Sequence, residues 1–375
     1  MRRLKGLLII IMIFLFVSCE KKKTNNYENR IIGEWIFEQE NPKKENHFYT
    51  DFCYSFDENG NCESKPGFFE IKERTEKEER KVIFYGTKTK YKIEDDSLYI
   101  MNLIDKKWDA CKIVGVNTKK LKLNFENNAI LEFSKIEYNE NENENFDKII
   151  ISRSPCFGSC GINDVEINKD GNVNYSGSAY NLKNGFFKSK IDTNLFNEIE
   201  QSLKKTNYLK LEDQYSADWT DDQEVSVTFV KDNKIIKSIT DYGRQSPKIF
   251  RINIEPITYL YQKLKLVENK NVKEFQNINF YRFVKGNQII DLTRSEVFYL
   301  FNLLSNSKST NKTFKSEYST IYDNDLLYDL RRIETDGRYF KIYSKNENAI
   351  TLDLGFNFIE KNELLKRLKI KGKYD

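Results

Sequence analysis

Apolar and polar residues alternate in short stretches between residues 30 and 137, and turn signals such as Asp57–Gly60 and Glu94–Ser97 separate these stretches. Alternation with a period of two is typical of half-buried strands, because successive side chains point to opposite faces of a sheet. Turn signals that recur about every ten residues are typical of an antiparallel meander that closes as a barrel or sandwich. The pattern therefore predicts an antiparallel β domain over residues 30–137.

A low-complexity acidic stretch, YNENENENF, follows at residues 138–146. It has no apolar periodicity, which is typical of a linker between folded units. Beyond it, Phe196, Ile199 and Leu203 have the spacing of one helical face within a region of otherwise strand-like alternation. This order of strand and helix patterns predicts a small α+β domain over residues 147–267, with its helices packed on one face of the sheet.

The last part of the chain, residues 272–375, has a similar mixture of patterns. Thr293 and Glu296 have the spacing of a capping box at the start of a helix, and Asp336-Gly337 is a hairpin turn signal. A second small α+β domain is predicted here. The fold class is therefore mainly β and α+β, with an antiparallel barrel or meander followed by two small α+β domains.

The N-terminus has the order of a secretory signal peptide. Basic residues at positions 2, 3 and 5 precede an unbroken apolar run, Leu7–Val17. The run is within the ~7–15 residues of a signal-peptide core and shorter than the ~20 residues that span a bilayer. It ends at a small residue, Ser18, followed by Cys19.

The residues around Ser18 and Cys19 resemble the lipobox of bacterial lipoproteins, with Phe16 where that family usually has leucine. The resemblance implies that residues 1–18 are removed by cleavage between Ser18 and Cys19. It also implies that acyl chains such as palmitate modify Cys19 and that residues 19–29 form a tether. Glu20 takes the place of the aspartate associated with inner-membrane retention, which favours the outer membrane. We therefore expect a cell-envelope protein whose first partner is the membrane, through its acyl anchor.

Charge and histidine content exclude several functional classes. Loss of residues 1–18 removes three of the 61 basic side chains and none of the 57 acidic ones, so the remaining chain is nearly neutral. A nucleic-acid-binding domain carries a clustered basic face, so no nucleic-acid partner is expected. The chain has one histidine, His47, in a polar stretch. Because histidine triads and most imidazole metal sites need well-placed imidazoles, we predict no catalytic residue, no metal site and no cofactor.

Cys156 and Cys160 lie in a short loop, RSPCFGSCG. A metal site would need further ligands nearby, and a thioredoxin-type pair has two residues between its cysteines, not three. Outside the cytosol thiols tend to oxidise, and Gly158 allows the sharp bend that brings two such residues together. A structural disulfide between Cys156 and Cys160 is therefore favoured over free thiols and over a redox-active pair.

Three further cysteines, Cys53, Cys62 and Cys111, lie in the predicted β domain. Cys53 and Cys62 flank the Asp57–Gly60 turn, but regular hairpin register does not place them opposite each other. The alternatives Cys62–Cys111 and Cys53–Cys111 stay open. A second disulfide among the three would leave one thiol over.

Asp218, Asp221, Asp222 and Glu224 form an acidic cluster. An EF-hand alternates its ligands around a central glycine, and this cluster does not have that spacing. A solvated acidic loop is therefore favoured over a calcium site.

Gly33-Glu34-Trp35 resembles the G-x-W sequence with which lipocalins begin, and the later strand pattern is similar to that of lipocalin-like domains in small envelope lipoproteins. The resemblance covers the predicted β domain. It implies a barrel in which Trp35 packs against the floor, and it raises the alternative that the barrel carries a small apolar ligand. A carrier needs a barrel whose interior is not filled by side chains.

Residues 147–267 resemble a bacterial domain family of unknown function whose hallmark is a C-F-G-x-C-P motif after the first strand. Gly161 and Asn163 depart from the proline and tyrosine usual in that family. The residues that carry the resemblance are Cys156-Phe157-Gly158-Ser159-Cys160, Asp170-Gly171, Tyr175, Gly177, Asp221, Asp222 and Pro247.

Together these features predict a non-enzymatic, lipid-anchored envelope protein that serves as a binding or interaction module. Its ligand would be a protein or a small apolar molecule. The alternatives are a lipocalin-like carrier and, less favoured, a thiol enzyme or hydrolase. An apolar cavity inside residues 30–137 would favour the carrier, while a filled interior would count against it.

Overall fold

The structure, a computed structural model, describes residues 27–41, 51–73, 75, 80–125, 129–138, 144–322, 330–346 and 348–372. The predicted signal peptide, the cleavage site Ser18, the lipid-attachment residue Cys19, Glu20 and His47 lie outside these ranges. Within them, no helix has both the length and the apolar character that a membrane crossing requires.

A closed barrel of eight antiparallel strands forms the N-terminal unit, and each strand pairs with its neighbour along the chain. A short helix, α1 (Tyr27–Ile31), precedes the first strand, which also pairs with the last one to close the barrel. The predicted antiparallel barrel is therefore confirmed. The strands are β1 (Gly33–Asn41), β2 (Cys53–Phe56), β3 (Asn61–Lys72), β4 (Lys81–Glu94), β5 (Ser97–Met101), β6 (Trp108–Val116), β7 (Lys120–Phe125) and β8 (Ala129–Lys135).

The barrel interior is filled by aromatic and branched side chains. Trp35 is fully buried and donates its indole N–H to the carbonyl of Ile31 at 2.6 Å, which ties α1 to the barrel end. Phe37 stacks on Phe52 with 4.6 Å between ring centroids, and Phe133 meets Phe52 edge-on at 5.4 Å. Side chains thus occupy the space that a lipocalin-like carrier would need for its ligand.

A second sheet of eight strands, here called the central sheet, has the order β13-β15-β14-β9-β10-β11-β12-β16. All its pairs are antiparallel except β13 with β15, which run parallel. The strands are β9 (Lys148–Arg153), β10 (Ile162–Asn168), β11 (Asn172–Ala179), β12 (Gly185–Lys190), β13 (Gln214–Ser216), β14 (Glu224–Lys231), β15 (Lys234–Tyr242) and β16 (Val267–Glu268).

Two helices, α2 (Thr193–Lys204) and α3 (Lys248–Thr258), cover one face of the central sheet. The α2 helix begins after Asp192, whose carboxylate accepts the backbone N–H of Leu195 at 2.8 Å. Its apolar positions all pack into the core, as their spacing predicts. These positions are Phe196, Ile199 and Leu203.

The C-terminal segment contributes a helix to the opposite face of the same sheet. Helix α4 (Arg294–Ser305) packs its Val297 against a core that includes Ile150 and Val230 of the central sheet. The central sheet is therefore covered on both faces, whereas the sequence pattern predicts helices on one face. The reason is that Ile150 and Val230 are apolar on the face away from α2 and α3, and a helix from later in the chain buries them.

The rest of the C-terminal segment forms two small antiparallel sheets and a short helix, α5 (Phe358–Lys361). The order of the first sheet is β17-β18-β24 and that of the second is β19-β23-β22-β21-β20. The strands are β17 (Arg282–Lys285), β18 (Gln288–Asp291), β19 (Lys308–Ser309), β20 (Tyr318–Ile321), β21 (Leu330–Thr335), β22 (Tyr339–Ser344), β23 (Ala349–Asp353) and β24 (Lys369–Ile370).

Candidate functional site

Arg153 occupies a core position at the end of β9. Side chains alternate along a strand, so Arg153 shares a face with the buried residues Ile149 and Ile151. Its partner across the sheet is Val225 on β14. Only 5% of Arg153 is exposed, so the fold places a guanidinium where the pattern calls for another apolar side chain.

A cleft of about 300 Å³ lies next to Arg153, between the barrel and the central sheet. Its walls are largely apolar: Phe69, Ile71 and Val82 come from the barrel, and α3 and β14 supply the facing wall. The residues that line it from the central side include Arg153, Cys160, Gly161, Asp222, Gln223, Val225, Val227, Asp241, Arg244, Ser246, Phe250, Arg251, Ile254, Glu255, Thr258 and Tyr259.

Arg153 has few partners for so buried a cation. Its Nε donates to Oδ1 of Asn163 at 3.0 Å, and its guanidinium lies over the ring of Tyr259 at 4.4 Å from the centroid. Its Nη2 is buried and donates no hydrogen bond, and no acidic residue forms an ion pair with it in the described parts of the chain. A buried charge is normally paired and hydrogen-bonded, so Arg153 is unusual in having no counter-ion among the described side chains.

The other arginines of the cleft are paired with carboxylates. Arg251 binds Asp51 through two nitrogens, at 2.7 and 2.9 Å. Arg244 donates to Asp51 and to Glu255, at 3.1 Å each. Arg80 lies 3.8 Å from a carboxylate oxygen of its neighbour Glu73. The missing partner of Arg153 is therefore particular to that residue and not a property of the whole cleft.

Asp51 ties the barrel to α3 at the edge of the cleft. Burial by itself raises the pKa of Asp51, but the hydrogen bonds and charges of Arg251 and Arg244 outweigh burial and hold that pKa below its usual value. Gln262 adds a neutral contact, since it accepts the backbone N–H of Phe84 at 2.8 Å and donates to the carbonyl of Val82 at 3.0 Å. These contacts fix the two walls of the cleft relative to each other.

The predicted disulfide between Cys156 and Cys160 is present, with 5.9 Å between the Cα atoms. Gly158 has a φ of 146°, which a residue with a side chain rarely adopts. Cys160 lines the cleft, whereas Phe157 at the tip of the loop is 88% exposed. The disulfide thus stabilises one wall of the cleft next to Arg153.

Gly161 follows the disulfide and lies directly against Arg153. A Cβ at this position would be 2.8 Å from Nη2 of Arg153, closer than side chains approach one another. Gly161 therefore leaves room for the guanidinium of Arg153, and Asn163, two residues further on, binds it.

The three remaining cysteines form no disulfide, so the expectation of a second bridge is wrong. Cys53 pairs across the barrel wall with Lys65, and Cys62 pairs with Phe56, so neither faces the other. Cys111 lies on β6, which two strands separate from β3 in the wall. Burial raises the pKa of the Cys53 and Cys111 thiols to about 12, which keeps them protonated and unreactive.

The acidic cluster does not converge on one point. Asp222 accepts hydrogen bonds from the indole of Trp219 at 3.2 Å and from the backbone of Gln223 at 2.7 Å. Burial, with the nearby charge of Asp241, raises the pKa of Glu224. In the described ranges, no three His, Cys, Asp or Glu side chains are grouped so as to hold a metal ion.

The sequence interpretation concentrated on Cys156 and Cys160 and missed Arg153, which lies three residues before Cys156. The available signal was an arginine at the same two-residue spacing as Ile149 and Ile151, at the end of an apolar strand. The residues that complete the cleft are about 70–85 positions before Arg153 and about 70–105 positions after it, so only the fold brings them together.

Comparison with known proteins supports one part of this description. Residues 147–261 match the family described as Domain of unknown function (DUF6438). No curated protein matches the chain. A crystal structure of an uncharacterized protein from Bacteroides eggerthii DSM 20697 at 2.60 Å resolution is similar over 28% of this chain and 99% of that one, with 16% identity and a TM-score of 0.20.

Proposed function

We propose that this protein is a non-enzymatic binding protein, lipid-anchored in the bacterial cell envelope, and that its binding site is the cleft between the barrel and the central sheet. The observation that carries the proposal is Arg153, a buried cation without an anionic partner on the wall of an apolar cleft. Buried charges are stable when paired, so a bound ligand would complete the site. Pockets that hold small molecules are mostly apolar with a few placed polar groups, as this one is.

The groups around the cleft are arranged for binding, not for covalent chemistry. Asp241 already accepts the backbone N–H groups of Gln245 and Ser246, at 2.6 and 3.1 Å, and the hydroxyl of Ser246. Cys160 is held in the disulfide. No nucleophile in the described parts of the cleft has an imidazole beside it, which disfavours the thiol enzyme and hydrolase alternatives.

The carrier alternative places the ligand inside the barrel. The stacked Phe37 and Phe52 and the buried Trp35 fill that interior. The cleft outside the barrel wall is open and carries the unpaired cation. These contrasts favour the cleft as the ligand site.

The envelope part of the proposal depends on Cys19. We expect Cys19→Ala to stop processing of the precursor and to release the protein from the membrane fraction, because each buried methylene of the acyl chains contributes about 0.8 kcal/mol to anchoring. Cell fractionation and mass spectrometry of the intact protein measure both effects. Unchanged processing and membrane association of the variant would contradict the anchor, without bearing on the cleft.

The binding part can be tested with a library of small acids, bases and neutral compounds, monitored by saturation-transfer NMR on the soluble chain from residue 20. Ile71 is 37% exposed on the barrel side of the cleft, so Ile71→Trp should block the cleft without disturbing a core. The control is Val114→Trp, at a site on the same barrel that is 46% exposed and outside the cleft.

We expect compounds that bind the wild type to bind Val114→Trp equally and Ile71→Trp at least about tenfold more weakly, as loss of one well-packed contact implies. Two results would contradict the proposal: no compound binds the wild type, or the compounds that do bind are indifferent to Ile71→Trp.

A further inference from the structure

We infer that the ligand class of this cleft is a small apolar molecule with a single carboxylate, which Arg153 binds. The inference rests on the proposed function and makes it more specific. A guanidinium has five N–H donors in a planar fork that matches a carboxylate. Of these, Arg153 uses only the one on Nε within the described structure, toward Asn163.

The surroundings of Arg153 hold its guanidinium in one orientation. The guanidinium carbon lies over the ring of Tyr259, 4.4 Å from its centroid, and Asn163, which is 1% exposed, fixes the Nε side. Asn163 is itself held by a hydrogen bond from its amide to the carbonyl of Thr258 at 3.1 Å. A guanidinium fixed in this way loses little rotamer freedom when it binds an anion, so the interaction is pre-organised.

The charges around the cleft favour a monoanion over phosphate. Asp222, Asp241 and Glu255 all line it and repel negative charge, so a dianion is disfavoured more strongly than a monoanion. Arg244 and Arg251 are already neutralised by Asp51 and Glu255. Among the arginines that line the cleft, Arg153 alone has no carboxylate partner in the described structure, and a single carboxylate on the ligand would supply one.

The walls favour an apolar body on the same ligand. Phe69, Ile71 and Val82 face Phe250 and Ile254 across a space of about 300 Å³. This is at the lower end of the ~300–1,000 Å³ typical of small-molecule pockets, so the ligand should be small. Acetate and inorganic phosphate would leave these walls uncovered.

The test uses isothermal titration calorimetry with hexanoate, 4-phenylbutyrate and indole-3-propionate, each paired with its neutral amide. Acetate and inorganic phosphate are the probes that lack an apolar body. Arg153→Met keeps the apolar length of the side chain and removes the fork. The control is Arg338→Met, at an exposed arginine of β21–β22 that pairs with Asp353 far along the chain from the cleft.

We expect at least one acid to bind the wild type and Arg338→Met about 10- to 100-fold more tightly than its amide, the range for a charge-assisted hydrogen bond. In Arg153→Met the acid and its amide should bind alike, because the apolar contacts remain. Acetate and phosphate should bind at least about tenfold more weakly than that acid.

Several results would overturn the inference: no acid binds better than its amide, phosphate binds best, or Arg153→Met retains the preference for the acid. In each case, the cleft would remain a binding site if the compounds that do bind the wild type bind Ile71→Trp more weakly. The proposed function would then stand, and only this ligand class would be rejected. If no compound of any class binds the cleft, both fall together.

Discussion

Two buried arginines lie against opposite faces of the same sheet, and their partners are adjacent residues of β10. Asp164 binds Arg294 of α4 through two hydrogen bonds, at 2.9 and 3.0 Å. Asn163 binds Arg153 through one, at 3.0 Å, and carries no charge. We call the pair on the first face closed, because a carboxylate neutralises the arginine. We call the second face open, because Arg153 has no counter-ion among the described residues and lies next to a cleft.

The difference separates a cation with a structural partner from one for which we propose a ligand. Arg294 and Asp164 have 9% and 8% of their side chains exposed, so each neutralises the other with little exposure to water. Arg153 is no less buried, yet it has no counter-ion in the described structure. Burial therefore does not distinguish the two, but charge balance does.

The largest effect is expected from breaking the closed pair. Arg294→Met leaves Asp164 buried and unpaired, which should lower the free energy of unfolding by about 3–5 kcal/mol. Urea denaturation measures this. Arg338→Met is the matched control, because it removes an exposed arginine that also donates two hydrogen bonds to one aspartate. It should lower the free energy of unfolding by only about 0–1 kcal/mol.

The double variant Asp164→Leu/Arg294→Met separates loss of the pair from loss of packing. Because both charges are then absent, most of the stability should return. A double variant as unstable as the single one would show that Arg294 acts through shape and not through charge, and the comparison of the two faces would lose its basis.

A smaller effect is expected from Asp51, which joins the barrel to the open face. Asp51→Asn leaves Arg251 with a neutral partner and should lower the free energy of unfolding by about 2–3 kcal/mol at pH 7, the scale of a hydrogen bond to a charged group. Because the folded-state pKa of Asp51 is lowered, its contribution is present above the unfolded pKa of about 3.9 and is lost as the pH falls through the folded value.

The stability difference between wild type and Asp51→Asn should therefore be constant from about pH 7 to pH 5 and should shrink as the pH falls below the unfolded pKa of about 3.9 and the carboxylate of Asp51 is protonated. Urea denaturation across this range measures it. A difference that persists unchanged at low pH would mean that Asp51 acts through packing, and the ionic link between barrel and α3 would be refuted.

Much of the fold could be predicted from local pattern. The alternation between residues 30 and 137 indicated the barrel, and the spacing of Phe196, Ile199 and Leu203 indicated α2, because side-chain period follows directly from backbone geometry. The Cys156–Cys160 disulfide was also predictable, since its two residues are close in sequence. These features all depend on neighbours along the chain.

The candidate site depends on distant pairings, which local pattern does not contain. Arg153 lines the cleft because β9 pairs with β14, and Tyr259, which follows α3, packs against its guanidinium. The barrel then supplies Ile71 for the facing wall. The packing of α4 on the second face is likewise set by Ile150 and Val230, whose burial from that side no local spacing reveals.

The smallest stability effect is expected at the open face, and it is the one that distinguishes most sharply between the two arginines. In the absence of ligand, Arg153→Met removes a buried charge that has no counter-ion, so the desolvation cost that it relieves offsets the lost contacts with Asn163 and Tyr259. The free energy of unfolding should change by less than about 1 kcal/mol or rise, in contrast to Arg294→Met.

Urea denaturation of the ligand-free chain measures this change, with 4-phenylbutyrate added in a parallel series. The added acid should stabilise the wild type by an amount that grows with the ratio of its free concentration to its Kd. It should stabilise Arg153→Met much less, because the variant keeps only the apolar contacts with the acid. A loss of several kcal/mol in ligand-free Arg153→Met would instead make Arg153 a structural cation like Arg294, and the two faces of the sheet would then be alike.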